Sequence, residues 1–267
     1  MIEVGKMNRV VPALTRGELS GAFNRVSPAY GRKTLHKINL GKPLGLPSGA
    51  APQAAPARIP AQAPARTPAQ IMPPAPRAMK RPELLRPVQR GQKTPLGLMQ
   101  GSREAMTVGF GWNVRDARCD IDASAFLLTA NRRVPSDDWF VFYGHPRSPD
   151  EAVAFREDGG PDRERITVDL GRLDPRIERI VFVLTINEAI EQRLNFGMIQ
   201  EAWLRVLDGS GREVVSYSPT ELYDNVTSMT LGELYLHNGQ WRFNPVGNGM
   251  NTDLAGQCAV YGVAING

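Results

Sequence analysis

Hydrophobic residues in the second half of the chain recur in short runs separated by turn-forming residues, a pattern typical of β proteins. The runs are rich in β-branched and aromatic residues, and Pro, Gly, Asn and Asp lie between them. Asn238-Gly239 predicts a hairpin, because a type I′ turn needs positive φ at both central residues. Many short strands with such turns favour an all-β, two-sheet β-sandwich with a few short helices. Strands are predicted at residues 106–112, 121–128, 139–143, 166–170, 180–186, 202–207, 213–217, 230–236 and 241–245, and short helices at 188–193, 219–223 and 253–261.

The first 85 residues lack this pattern. Prolines stand at positions 52, 56, 60, 64 and 68, and each proline fixes φ and removes a backbone donor, which excludes helix and sheet. Such a segment favours extended polyproline II and works as a semi-rigid spacer. We therefore predict a basic disordered arm over residues 1–49, a Pro/Ala-rich linker over 50–85 and a β-sandwich domain over 86–267.

Charge divides the chain near the same place. Residues 1–95 contain 16 Lys and Arg residues and 3 Asp and Glu residues, which gives a net charge of +13. Residues 96–267 contain 16 Lys and Arg residues and 24 Asp and Glu residues, which gives a net charge of −8. The arm, with a cationic cluster at Arg32, Lys33 and Lys37, would attract nucleic acid or another anionic partner. The other interpretation is a solvated tail, because no nucleic-acid-binding motif accompanies the charge.

No segment approaches the roughly 20 apolar residues that cross a bilayer, and the N-terminus lacks an export signal. Cys119 and Cys258 have neither CxxC nor metal-finger spacing, as expected for free thiols in a reducing compartment. We therefore expect a cytoplasmic protein without a transmembrane segment.

Two carboxylates lie at the start of the strand predicted at residues 121–128, one just before it and one inside it. Residues two apart in a strand share a face, so Asp120 and Asp122 would emerge side by side, roughly 7 Å apart. The two anions repel each other unless a cation lies between them, and a hard divalent ion takes oxygen ligands at about 2.3–2.6 Å. Spacing alone leaves two other interpretations open: a capped turn at the strand entrance, or ion pairs with Arg115 and Arg118.

An enzymatic function has little support. The three histidines stand far apart, at positions 36, 145 and 237, and no nucleophile motif accompanies them, although a hydrolase triad needs a nucleophile beside an oriented His. Asp120 and Asp122 could in principle act as acid and base, because neighbouring carboxylates split their pKa values. We expect no catalysis.

Gly109-Phe110-Gly111 is not a dinucleotide-binding fingerprint, because it lacks the following helix and the third glycine. We interpret the two glycines as allowing close strand packing against Trp112.

Several motifs follow one another in a fixed order through the domain. They are Gly109-Phe110-Gly111-Trp112, residues 120–127, residues 140–143, residues 180–183, Asn195-Phe196-Gly197, residues 232–235 with His237-Asn238-Gly239, and Leu254-Ala255-Gly256. From about residue 88 to the C-terminus, this order resembles the TerD-type tellurium-resistance and stress-response family. The resemblance implies a β-sandwich that binds calcium through an acidic cluster, and a role in tolerance of tellurite and other stresses without a demonstrated reaction.

The resemblance also implies where calcium would bind. Arg118 and Arg163 stand where the family typically has acids, and calcium affinity follows ligand number and charge. We therefore expect one site to be lost or weakened and another to persist at reduced affinity. The implied ligands are Asp120, Asp122, Asp158, Asp162 and Glu164, with Gly159, Gly160 and Asn195 in support.

The leading hypothesis is thus a non-catalytic, calcium-binding stress-response module whose partners are Ca²⁺ and other TerD-type or stress-complex proteins. The alternative is a metal-free sandwich scaffold whose basic arm docks on nucleic acid or another anionic partner.

Overall fold

The computed structural model describes residues 78–158 and 160–264, and eleven strands lie within these ranges. They are β1 (Thr94–Met99), β2 (Ala105–Val114), β3 (Ile121–Leu128), β4 (Phe140–Val141), β5 (Val153–Glu157), β6 (Glu164–Asp169), β7 (Arg179–Ile186), β8 (Ile199–Leu207), β9 (Glu213–Tyr217), β10 (Ser228–His237) and β11 (Gln240–Met250). A six-stranded sheet has the order β1-β11-β10-β7-β3-β4, and a five-stranded sheet has the order β5-β6-β2-β8-β9. Every named pairing is antiparallel. The predicted two-sheet sandwich is confirmed.

The core lies between the two sheets, where the inward side chains of alternate residues meet. Phe110 of β2 contacts Phe182 of β7 with ring centroids 5.6 Å apart, and both residues are fully buried. Because side chains alternate along a strand, Gly109 and Gly111 lie on the opposite, outer face of the five-stranded sheet. That outer face carries the polar residues described below.

Two short α-helices lie within the described ranges, α1 (Ala189–Gln192) and α2 (Leu254–Tyr261). Asp253 caps α2 by accepting a hydrogen bond from the Gly256 N–H at 2.9 Å, as N-cap aspartates do. The helices predicted near residues 188–193 and 253–261 are confirmed, and the helix predicted at 219–223 is wrong, because those residues form a loop. No helix in the described ranges is both long and apolar enough to cross a membrane.

The Asn238-Gly239 hairpin is confirmed. Both residues have positive φ, 52° and 74°, and His237 pairs with Gln240 across the turn.

The strand predicted over residues 139–143 is mostly wrong. Only Phe140–Val141 pair with β3, because a 3₁₀ turn precedes them and the Phe142 and His145 backbones bond each other in a tight loop.

The chain before β1 packs across the five-stranded sheet, and residues 79–88 are called the strap here. Met79 donates its N–H to the Asn113 side chain and accepts a hydrogen bond from it, both at 2.8 Å. Near the other end of the strap, Arg86 accepts a hydrogen bond from the Ser216 N–H, and Val88 donates to the Ser216 carbonyl, both at 2.9 Å. Hydrogen bonding to the sheet therefore begins within the segment predicted as linker. The rest of that linker and the arm, including Arg32, Lys33 and Lys37, lie outside the described residues.

Candidate functional site

Asp120 and Asp122 lie at the entrance of β3. Asp120 is exposed just before the strand, and its backbone carbonyl accepts a hydrogen bond from the Asn187 N–H at 2.7 Å. Asp122 is only 9% exposed and pairs in register with Thr185 of β7 on the outer face of the six-stranded sheet. The structure therefore brings these two predicted ligands to the same end of the sandwich.

Arg118, which stands where the related proteins were expected to carry an acid, has a partner nearby. Its Nη2 lies 2.6 Å from Asp116 Oδ2, and these side-chain hydrogen bonds lower the pKa of Asp116. Arg115 reaches the Gly197 carbonyl at 3.4 Å. Asp116 therefore balances the positive charge that Arg118 adds beside Asp120.

The second predicted group of ligands contains a buried ion pair. Asp162 has no exposed surface, and Arg205 of β8 binds it in a bidentate manner, with Nε 3.1 Å from Oδ1 and Nη2 2.7 Å from Oδ2. The Trp203 indole N–H also donates to Oδ1 at 3.2 Å, and Arg165 Nη2 lies 3.5 Å from Oδ2. A metal ion at Asp162 would therefore have to compete with two arginines and an indole.

Asp158 belongs to the same cluster, because its Oδ2 lies 2.8 Å from Arg165 Nε. The Asp162 cluster, defined as Asp158, Asp162, Arg165, Trp203 and Arg205, thus contains two carboxylates and two guanidinium groups. Its charges balance without a metal ion. Buried charges need such pairing, since an isolated ion is costly to remove from water.

Arg163, the other departure from the expected acids, faces a different neighbour. Its Nε donates to the Trp112 carbonyl at 2.7 Å, and its guanidinium lies 5.7 Å from the centre of the Trp112 ring. Burial lowers the pKa of Arg163.

Glu164 points between the sheets rather than toward the Asp162 cluster. It pairs in register with Phe110, whose side chain is in the core, and it is 2% exposed. Its Oε2 accepts the backbone N–H of Ala123 in β3 at 2.6 Å. Glu164 therefore links the five-stranded sheet to the six-stranded sheet.

Gly109 and Gly111 make the Asp162 cluster possible. A Cβ atom at position 109 would lie 2.3 Å from Asp162 Oδ2, and one at 111 would lie 2.1 Å from two atoms of the Trp203 ring. The interpretation that these glycines serve packing against Trp112 is wrong, because they leave the outer face of β2 open for Asp162 and Trp203.

The predicted supporting residues are spread over two places. Gly160 lies beside Asp158, since a Cβ at position 160 would be 3.1 Å from Asp158 Oδ2. Asn195 precedes a 3₁₀ turn at Phe196–Met198, where its carbonyl accepts the Met198 N–H at 3.0 Å. Gly159 lies outside the described residues.

Within residues 78–158 and 160–264, no group of three or more His, Cys, Asp or Glu side chains is placed to hold a metal ion. The five predicted ligands instead occupy three places: the β3 entrance, the Asp162 cluster and the space between the sheets. Sequence reasoning missed Arg165, Trp203 and Arg205. A signal was present, because a Trp and an Arg two positions apart on one face of β8 match two glycines with the same spacing on β2.

A family model described as the TerD domain matches residues 86–261. Tellurium resistance protein TerD of Serratia marcescens is 37% identical over 183 residues, covering 65% of this chain and 95% of that protein. General stress protein 16U of Bacillus subtilis (strain 168) is 31% identical over 186 residues, covering 66% of this chain and 96% of that protein. A solved structure of a homologue of telluride resistance protein (TerD) from Streptomyces coelicolor A3(2) has a TM-score of 0.44 and 20% identity, covering 57% of this chain and 94% of that one.

Proposed function

The chain belongs to the TerD domain family, and on this basis we propose that it acts in resistance to tellurium compounds and related chemical stress. The observation that carries the proposal is the extent of the match, which includes every strand and α-helix of the described residues. The names of two relatives, tellurium resistance protein TerD and general stress protein 16U, indicate the kind of stress that we propose.

Growth under tellurite tests this function directly. Removal of the gene from its own host should lower the tellurite concentration that the cells survive, and the wild-type chain should restore it. A variant with Arg205→Ala, which breaks the buried ion pair, should restore it poorly because the domain is destabilised. Equal survival with and without the gene, under tellurite and under a chemical damaging agent, would contradict the proposed role.

We further propose that the domain works by binding rather than by catalysis. Of the two described histidines, His145 has its Nδ1 3.0 Å from the Phe140 carbonyl, and His237 is exposed at the end of β10, with its ring centroid 6.4 Å from that of Tyr235. The carboxylate most deeply buried in the predicted site, Asp162, is held by Arg205 and Trp203. The contacts of His145 and Asp162 support a static role for these two groups, which would otherwise suit acid–base chemistry.

For calcium, the residues of the Asp162 cluster do not fit a metal shell as they are folded, because arginine side chains already supply the positive charge. We propose that any calcium response comes from the β3 entrance, where Asp120 and Asp122 could bind weakly with backbone carbonyls and water. Calcium affinity falls with fewer carboxylates, so two should give a weak site. The metal-free scaffold with a docking arm is the second candidate, and the balanced charges of the Asp162 cluster favour it.

Thermal melting with and without calcium separates these two candidates. A site at the β3 entrance should raise the melting temperature, since a ligand at a hundredfold excess over Kd stabilises the folded state by about 2.7 kcal/mol. Asp122→Asn should remove most of this shift. Asp158→Asn is the matched control, because Asp158 is paired with Arg165 and its loss should leave the shift in place. An unchanged wild-type melting temperature in about 100 mM calcium, a hundredfold excess over a weak Kd of about 1 mM, would favour the metal-free scaffold.

A further inference from the structure

A cleft of about 710 Å³ lies between the strap and the loop at residues 218–222, with residues 199–201 at the start of β8 between them. None of its lining residues belongs to the predicted calcium ligands or to the Asp162 cluster. Binding pockets for organic ligands are typically about 300–1,000 Å³. An inorganic oxyanion would fill only a small part of this cleft, so its size indicates a larger ligand.

The cleft carries two arginines whose present contacts are long. Arg81 Nη1 lies 3.5 Å from Glu201 Oε2, and Arg115 Nη1 lies 3.4 Å from the Gly197 carbonyl. Strong charge-assisted hydrogen bonds are about 2.7–2.9 Å long. Glu201 is held more closely by Asn113, whose Nδ2 lies 2.7 Å from Oε1. Both guanidinium groups are therefore able to bind an incoming anion at shorter range.

The charge of the cleft differs from that of the domain around it. Its lining contains two arginines and one glutamate, whereas residues 96–267 carry a net charge of −8. A long polyanion such as nucleic acid would be repelled by the rest of this acidic domain. A short ligand with one or two carboxylates would meet a lining of net positive charge, in which Arg81 and Arg115 outnumber Glu201.

Apolar side chains line the cleft beside the arginines. Leu84 and Val88 come from the strap, Ile199 from β8 and Leu222 from the opposite loop. Hydroxyl groups of neighbouring loop residues, Ser218 and Thr220, also line it. A ligand that suits this lining has carboxylates interspersed with apolar groups along an extended body.

We infer that this cleft binds an extended acidic peptide segment of a partner protein. Carboxylates of the peptide pair with the planar guanidinium forks of Arg81 and Arg115, which favour bidentate recognition of carboxylates. Apolar side chains of the peptide pack on Leu84, Val88 and Leu222. The strap is thus one wall of the binding site.

Fluorescence anisotropy with the full chain tests the inference. The probe is a short fluorescein-labelled peptide of alternating leucine and aspartate, and the same peptide with asparagine for aspartate is the neutral control. We expect the acidic peptide to bind at least about tenfold more tightly, equivalent to about 1.4 kcal/mol. Equal binding of the two peptides would overturn the inference.

The basic arm needs its own control, because it would also attract an acidic peptide. Arg81→Gln with Arg115→Gln removes two charges from the cleft, and Arg32→Gln with Lys33→Gln removes two from the arm. The first pair should weaken binding about tenfold, and the second should change it little. Equal losses would assign the binding to general attraction by the arm and overturn the inference.

Hydrogen exchange locates the bound peptide even if the arginine variants lose the strap. In the wild-type chain, the acidic peptide should slow exchange in residues 81–88 and 218–222. Absence of protection there would overturn the inference. So would binding to phosphatidylserine vesicles that depends on Arg81 and Arg115 without any binding of the peptide, because the surface would then be a membrane contact.

Discussion

Replacement of Arg205 by alanine should destabilise the domain by about 3–5 kcal/mol, the typical cost of breaking a buried ion pair by removing one partner. Asp162 has no exposed surface, and Arg205 donates two of the hydrogen bonds to its carboxylate. Without Arg205, the buried carboxylate retains the Trp203 indole N–H and the more distant Arg165. Urea unfolding followed by circular dichroism measures the loss as a lower midpoint.

Arg172→Ala is the matched control. Arg172 also pairs with a carboxylate, Glu151 at 3.2 Å, but both side chains are more than half exposed. An exposed pair contributes about 0–1 kcal/mol, so its loss should barely move the midpoint. Asp162→Asn should add little destabilisation to Arg205→Ala, because the two residues share one interaction. Similar midpoints for Arg205→Ala and Arg172→Ala would contradict a stabilising role for the Asp162 cluster.

Gly111→Ala should destabilise the domain by about 1–3 kcal/mol or more, the usual cost of overpacking a buried site. The new methyl group would lie 2.1 Å from the Trp203 ring, which is fully buried and therefore has little room to move. The ring shift would also disturb the indole N–H bond to Asp162. Thermal melting monitored by tryptophan fluorescence reports both effects.

Gly209→Ala provides the comparison for this prediction. A Cβ at position 209 would have its nearest contact at 3.5 Å, an ordinary van der Waals distance, and the residue has no positive φ. This substitution should leave the melting temperature unchanged or raise it slightly, since alanine restricts the unfolded chain. Trp203→Phe should partly relieve the clash in Gly111→Ala. Full stability of the Gly111→Ala protein would refute the proposed role of that glycine.

Much of the fold could be predicted because period-two alternation and turn residues are local signals. The hairpin at Asn238-Gly239 depends on backbone conformations that few residues other than Asn and Gly adopt readily, so the sequence indicates it strongly.

Two strands of the described residues, β1 and β5, were not predicted from the sequence. β1 contains Pro95 and Gly97, and its pairing with β11 is irregular between Pro95 and Leu98. β5 is only five residues long and ends in exposed charged residues.

The candidate site was harder to predict because its partners are distant in sequence. Asp162 and Glu164 are two residues apart, and sequence reasoning assigned both to one metal loop. The structure pairs Asp162 with Arg205 on the outer face and Glu164 with the Ala123 N–H between the sheets. Which strand lies beside which, and on which face, is a tertiary property that periodicity along one strand does not contain. The placement of Asp120 and Asp122 at the β3 entrance depends on local sequence and was predictable.

The strap also determines how the five-stranded sheet ends. β9 would be its edge strand, and the backbone N–H and carbonyl of Ser216 would be open to a strand from another molecule. The Ser216 N–H donates to the Arg86 carbonyl, and the Ser216 carbonyl accepts the Val88 N–H. Pro87, which lies between Arg86 and Val88, has no backbone N–H that could bond a strand of another molecule. The strap thus blunts this edge against intermolecular sheet growth. A chain shortened to begin after Val88 would expose the edge and would be prone to edge-to-edge aggregation.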